Sequence, residues 1–175
     1  MKDTVQILEL TAGQAEQGIA DLIELLEDSV EGGASVGFLP PLANDEAEQY
    51  WRTVFQAMRE DSRVLVAAME ENEIVGAVQL AYETRRNGSH RAEVMKLMVH
   101  SKARMCGIGR NLMQRAELIA KSGGRTLLVL DTRCGDFSES LYRSLGYCTA
   151  GIIPRYARSA SGVLHDTVVM YRELE

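Results

Sequence analysis

The sequence predicts a mixed α/β fold, and three observations carry that prediction. Hydrophobic patterning switches between period two and period 3.6 in the order strand, two helices, three strands, helix, strand, helix, two strands. Residues 94–121 read in turn as a buried strand, a loop, a glycine-punctuated turn and an amphipathic helix. Two glycine pairs, Gly32-Gly33 and Gly123-Gly124, fall where helices should stop. The 175 residues fit one domain, 1–175, and 46% hydrophobic content supports a core.

The elements follow in order. Residues 5–10 alternate apolar and polar, as a half-buried strand does. Residues 15–30 form an amphipathic helix with Ile19, Leu22, Ile23 and Leu26 on one face. Residues 34–41 are apolar but contain Gly37, Pro40 and Pro41, so they form an irregular loop able to cover a site. Asn44 is a candidate N-cap for a second helix ending at Arg59, with Trp51, Val54, Phe55 and Met58 as its apolar residues. Residues 63–69 and 74–82 read as a strand pair about a turn at 70–73. Arg85-Arg86-Asn87-Gly88 makes a second turn with an Asn-Gly hairpin signal. Residues 91–99 are a central strand. Residues 108–121 are a helix buried along Ile108, Leu112, Ala116 and Ile119. Residues 126–131 have the continuous apolar run of an interior strand. A short helix at 139–145 and strands at 146–153 and 164–171 close the chain.

Bulk properties exclude several classes. A net charge of −6 argues against nucleic acid as the default partner. Cys106, Cys134 and Cys148 are odd in number and lack a C-x-x-C pair, which fits a reduced cytoplasmic compartment better than a disulfide framework or zinc site. His90, His100 and His165 have no metal-ligand spacing. Residues 1–20 have no apolar leader, and no apolar run reaches the roughly 20 residues of a membrane helix.

Arg104, Gly107 and Gly109 form an R-x-x-G-x-G pattern where the 108–121 helix begins. A helix start presents unpaired N–H groups and a partial positive charge, and glycine lets phosphate approach. A Walker loop needs Gly-Lys-Ser or Gly-Lys-Thr, which is missing. A dinucleotide fingerprint needs a third glycine where Leu112 stands, and it should follow the strand directly; seven residues separate Val99 from Gly107.

The pattern resembles the coenzyme A loop of the GCN5-related N-acetyltransferases, the GNAT family, whose motif is Q/R-x-x-G-x-G/A after a strand such as Leu97-Met98-Val99. Leu141-Tyr142-Arg143-Ser144-Leu145-Gly146-Tyr147 resembles that family's late segment. The blocks 32–38, 91–94, 96–99, 130–132 and 161–165 resemble one branch, the tabtoxin-resistance acetyltransferases. The resemblance implies a GNAT fold: a mostly antiparallel central sheet with a splayed parallel strand pair, flanked by about four helices. It implies acetyl-CoA as co-substrate, no metal, and transfer to the primary amine of a small molecule, such as an amino-acid-like toxin or antibiotic. Acceptance of a protein N-terminus or lysine, or a non-catalytic acyl-CoA sensor, are the alternatives. A homodimer is allowed, the sequence leaving oligomeric state open.

Acetyl transfer to an amine has three demands: the amine must lose its proton, the developing oxyanion needs a donor, and the leaving thiolate needs an acid. By the resemblance, Glu93 and Asp131 face the acceptor amine. Glu93 could instead be an exposed strand residue or pair with Arg91 or Lys96, and Asp131 could cap a strand end. Tyr142 is the candidate general acid by resemblance, with core packing as its other reading. Backbone N–H at Met98 or Val99 is the candidate oxyanion donor. Leu97, Met105, Cys106, Ile108 and Arg110, with Arg104 and the two glycines, complete the expected cofactor contacts. Many family members carry asparagine where Gly135 stands, and Ser138 is the candidate substitute on the pantetheine arm. Gly33, Ala34, Ser35, Phe38, Tyr82, Arg155 and Tyr156 are the candidate acceptor residues.

Overall fold

The computed structural model describes residues 5–175, so residues 1–4 of the stretch read above for a leader lie outside the described residues. Strands β1 (Gln6–Leu10), β2 (Arg63–Glu70), β3 (Glu73–Tyr82), β4 (Arg91–Val99), β5 (Leu127–Arg133), β6 (Cys148–Arg158) and β7 (Leu164–Glu173) join one sheet in the order β1-β2-β3-β4-β5-β7-β6. Every neighbouring pair is antiparallel except β4 and β5, which are parallel. This is the expected mixed sheet with one parallel pair.

The helices are α1 (Ala12–Gln17), α2 (Ile19–Glu31), α3 (Asn44–Arg59), α4 (Ile108–Ser122) and α5 (Phe137–Ser144). The sequence predicts one helix over 15–30; the chain instead breaks at Gly18. A Cβ there would lie 2.8 Å from Ile74 Cδ1, so α1 and α2 meet where the tip of the Ile74 side chain packs against the glycine. Thr11 and Gln14 form a reciprocal capping box that starts α1 early. Asn44 is the first helical residue of α3 and not its cap; Ala43 takes that place without a side-chain bond. Asp45 and Glu46 in the first turn complement the helix dipole instead.

The β2–β3 turn is tight, with Glu71 and Asn72 at φ 50° and 71°, as a two-residue hairpin of the primed type requires. Asn87-Gly88 makes no such hairpin. It sits in a 3-10 turn (Arg86–Gly88) within a longer connection, which Glu83 organises by accepting from Arg91 at 2.8 Å.

Strand alternation divides the core between the two sheet faces. Leu65 and Ala67 face α2 and α3, packing with Leu22, Leu26, Trp51 and Phe55. Val66, Val78, Leu80, Ala92 and Leu128 face α4, packing with Leu112, Met113 and Met170. Trp51 Nε1 donates to the Leu22 carbonyl at 2.9 Å, which satisfies a fully buried indole.

Candidate active site

A bulge in β4 opens the sheet. Gln79 pairs with Met95 and Ala77 with Met98, so Lys96 and Leu97 together oppose Val78. Lys96 takes φ 53°, a costly value for a residue with a Cβ and one that turns the strand. Its parallel partner cannot follow. Pairing between β4 and β5 covers Arg91↔Leu127, Ala92↔Leu128 and Glu93↔Val129, and stops there.

Beyond that point one edge of β4 is free, and ladder alternation decides which groups face it. His100 N–H donates to the Val75 carbonyl at 2.8 Å. One step back, Val99 opposite Gly76 is therefore in the non-hydrogen-bonded register, with its N–H and C=O pointing away from β3. Met98, opposite Ala77, points its backbone groups at β3. Of the two candidate donors, Val99 is the one turned into the divergence.

The start of α4 closes the other end. Gly107 is its N-cap at φ 79°, with no side-chain cap, and a Cβ built on it would meet nothing within 4 Å. Asn111 N–H makes the bond to the Gly107 carbonyl at 3.1 Å. The N–H groups of Ile108, Gly109 and Arg110 precede that first helical bond and lack helical partners. Between this start and the divergence lies a cavity of about 680 Å³. Of the expected cofactor residues, Leu97, Met98, Val99, Arg104, Met105, Gly107, Ile108, Gly109, Arg110 and Ser138 line it; Cys106 and Tyr142 do not. The uncapped helix start, the open space off Gly107 and the freed strand edge fit a diphosphate joined to an extended amide-bearing arm.

The two arginines have protein partners. Arg104 Nε donates to the Val99 carbonyl at 2.9 Å, and its Nη2 lies 3.5 Å from Asp28. Arg110 Nη2 donates to Ser144 Oγ at 2.7 Å. Ser138 Oγ lies 2.7 Å from Thr132 Oγ1, and Gly135 donates its N–H to Glu139 at 2.8 Å.

Glu93 and Asp131 stand on one sheet face, because Glu93 is level with Val129 and Asp131 is two residues further along β5. Both are exposed. Arg91 is paired with Glu83, and Lys96 Nζ donates to the Val36 carbonyl, so neither neutralises Glu93 by a direct bridge. Asp131 accepts from Thr167 Oγ1 at 2.9 Å. Tyr142 is 6% exposed and packs against Tyr147 with ring centres 5.8 Å apart. Burial first, and the Asp131 charge second, push its phenol well above the usual tyrosine range.

A second cavity, about 270 Å³, lies between the α2–α3 connection and the tip of the β6–β7 hairpin. Of the candidate acceptor residues, Gly33, Ala34, Ser35 and Phe38 line it. Arg155 and Tyr156 lie nearby on β6 without lining it; both are exposed. Tyr82 lies elsewhere. It shares strand parity with Leu80 and Val78, so it faces α4, where Arg125 stacks 4.3 Å over its ring. Sequence reading passed over two residues here. Arg133, two positions after Asp131 on the same strand face, lines both cavities. Lys96 carries its ammonium 5.7 Å from the Phe38 and Tyr50 ring centres. Lys96 had a signal, a cation between Met95 and Leu97 in the apolar half of β4; Arg133, at the end of β5 after Asp131 and Thr132, had none.

A larger hollow, about 840 Å³, lies between α4 and β7. Its buried Glu117 pairs with the half-buried Arg172 at 2.8 Å, and neither the strand divergence nor the α4 start opens into it.

Comparison with known proteins agrees with this geometry. The sequence model of the acetyltransferase (GNAT) family matches residues 21–147. An uncharacterized N-acetyltransferase of Azospirillum brasilense, from the hisH-hisA intergenic region, is 30% identical over 131 residues, 74% of this chain and 73% of that one. Among solved structures, an N-acetyltransferase of Staphylococcus aureus superposes with TM-score 0.82 at 17% identity, over 98% of this chain and 99% of that one. A phosphinothricin acetyltransferase of Sinorhizobium meliloti in complex with acetyl-CoA gives 0.78 at 20% identity, over 98% and 89%. The fold is that of an acyltransferase, and the chain belongs to the GNAT family of acetyltransferases. Its activity is acetyl transfer from acetyl-CoA.

No helix among the described residues is long and apolar enough to cross a membrane. Cys106, Cys134 and Cys148 are all free thiols.

Proposed function

We propose that the chain is a single N-acetyltransferase domain, 1–175, that acetylates the primary amine of a small molecule by direct attack in a ternary complex. The observation behind the proposal is the position of the acid pair: Glu93 marks the last β4–β5 rung, and Asp131 stands two residues past it on the same face. Acetyl-CoA supplies an activated thioester. Backbone N–H groups of Ile108, Gly109 and Arg110 hold its diphosphate, and the α4 dipole favours the negative charge. The Val99 N–H donates to the acetyl oxygen and stabilises the charge developing there. Glu93 and Asp131 take the proton from the acceptor ammonium, directly or through water, so that a neutral amine attacks. Tyr142, held protonated by burial, donates to the departing sulfur.

The α2–α3 connection favours a small acceptor over a peptide. Its strand-side edge is tied down at two points, Val36 by Lys96 and Gly33 by Arg133, which narrows the approach to the acids. The sequence blocks shared with the tabtoxin-resistance branch support the same reading.

The test is thiol release from acetyl-CoA against a panel of amino acids, polyamines, aminoglycosides and peptides. Turnover with small amines and none with peptides is expected. Peptide turnover alone would overturn the acceptor class, and binding of acetyl-CoA without turnover on any amine would overturn the reaction.

A further inference from the structure

The acceptor cavity carries more positive charge than an amine-binding site needs. An amine acceptor is a cation at neutral pH, and Glu93 with Asp131 answers it. Yet Arg133 and Arg158 line the cavity itself, in a chain of net charge −6. Lys96 reaches it from below, its Nζ 3.1 Å from where a Cβ on Gly37 would stand.

Arg133 is under-used by the protein. Its Nη2 donates to the Gly33 carbonyl at 3.2 Å, and its Nη1 lies 3.8 Å from Asp136. Its Nε is buried with no partner among the described residues, and the side chain is 19% exposed. A guanidinium has five N–H donors in a fixed fork that matches a carboxylate. The buried Nε holds the guanidinium in place, and the rest of the fork borders the cavity with only one hydrogen bond to the described residues. Arg133 follows Asp131 by one pleat on the same face, about 7 Å along the strand. A base for the amine and a fork for an anion therefore sit side by side.

We propose that Arg133, assisted by Lys96, is the specificity-determining anion site of the acceptor cavity, and that the acceptor is an amine carrying a carboxylate or comparable oxyanion on the same small molecule. This rests on the acetyltransferase reading above and names its substrate class. The Arg133 fork takes the anion, and the Lys96 ammonium adds attraction from beneath the loop. Asp131 and Glu93 take the ammonium end. A simple amine would leave the fork unpaired, and a neutral peptide would bring it no charge.

The experiment compares matched acceptors: L-methionine with 3-(methylthio)propylamine, and L-phenylalanine with 2-phenylethylamine, each assayed by thiol release. In the parent, kcat/KM for the acid-bearing member should exceed its decarboxylated partner by roughly 10- to 100-fold, the range of a charge-assisted hydrogen-bond pair. Arg133→Gln should erase that ratio, chiefly through KM, and Arg133→Lys should keep part of it. Lys96→Met should reduce the ratio without erasing it. Acetyl-CoA affinity, measured by calorimetry, should stay unchanged in Lys96→Met, and in the Arg133 variants, whose side chain also borders the larger cavity, should change far less than the acceptor ratio does. Equal use of both partners by the parent, equal slowing of both by Arg133→Gln, or lost acetyl-CoA affinity with an intact ratio would each overturn the proposal. If no panel member releases thiol, the small-molecule reading fails separately, and the anion site is then read by thermal shift in saturating coenzyme A. N-acetyl-L-methionine should raise the melting temperature where N-acetyl-3-(methylthio)propylamine does not; any other pattern overturns it.

Discussion

Arg104 ties down the carbonyl of Val99, donating from Nε at 2.9 Å across the loop that separates β4 from α4. The Val99 N–H lies on the same edge of β4, so this bond helps to fix the direction of the group proposed to meet the acetyl oxygen. The arginine of the R-x-x-G-x-G pattern therefore braces β4 from the open side of the divergence, where it also lines the cavity. Arg104→Ala should lower kcat several-fold and cost about 1 kcal/mol of stability, a melting-temperature fall of about 2–4 °C. Calorimetry and steady-state kinetics on one preparation check both.

Asp28 completes that brace. Burial works to raise its pKa, but bonds from the Ser101 hydroxyl and N–H, with the charges of His100 and Arg104, outweigh it and hold the carboxyl below its ordinary value. A depressed folded pKa means that Asp28 contributes stability above about 3.8, lost as pH falls through the lower folded value. Asp28→Asn should be less stable than the parent at pH 7, and the gap should narrow below pH 4 in denaturant titrations.

Tyr142→Phe should cut kcat about 100-fold, within the range of general acid catalysis, and leave acetyl-CoA affinity in place. Because burial and Asp131 raise the phenol, the parent should show no loss of kcat up to pH 10. A descending limb below that pH would remove the hydroxyl from the mechanism.

Glu93→Gln with Asp131→Asn should slow turnover at pH 7 by about 100-fold and regain much of it near pH 10, where the acceptor amine is already neutral. A pH–rate profile of the double variant checks this, and parent-like behaviour at pH 7 would point to a sensor.

Gly107→Ala separates folding from binding. The added methyl meets no neighbour, so only the φ of 79° is strained, at about 1–2 kcal/mol. The methyl projects into the space proposed for the diphosphate, so the acetyl-CoA Kd should rise at least tenfold, measured by calorimetry.

Much of this was legible in the sequence, for physical reasons that differ by element. The central strand Arg91–Val99 and the start of α4 at Ile108 were readable to the residue, since an apolar run and a glycine-marked helix start are both local signals. The Gly18 break was not, because it depends on Ile74, which is distant in sequence. The Lys96 bulge was hidden for a similar reason: an extra residue against Val78 leaves the apolar pattern of β4 looking continuous. Tyr82 was misassigned to the acceptor side although strand parity with Leu80 already placed it on the α4 face. Arg133 went unread because its relevance appears only when the α2–α3 connection folds back to meet it.

Gly33, Ala34 and Arg133 belong to the walls of both cavities. Two occupants sharing a partition have a route for coupling, and thermodynamic reciprocity requires that whatever one does to the other's affinity is returned in equal measure. With the occupants proposed above, a thioester in the larger chamber would stand against the wall on which its own acceptor is selected.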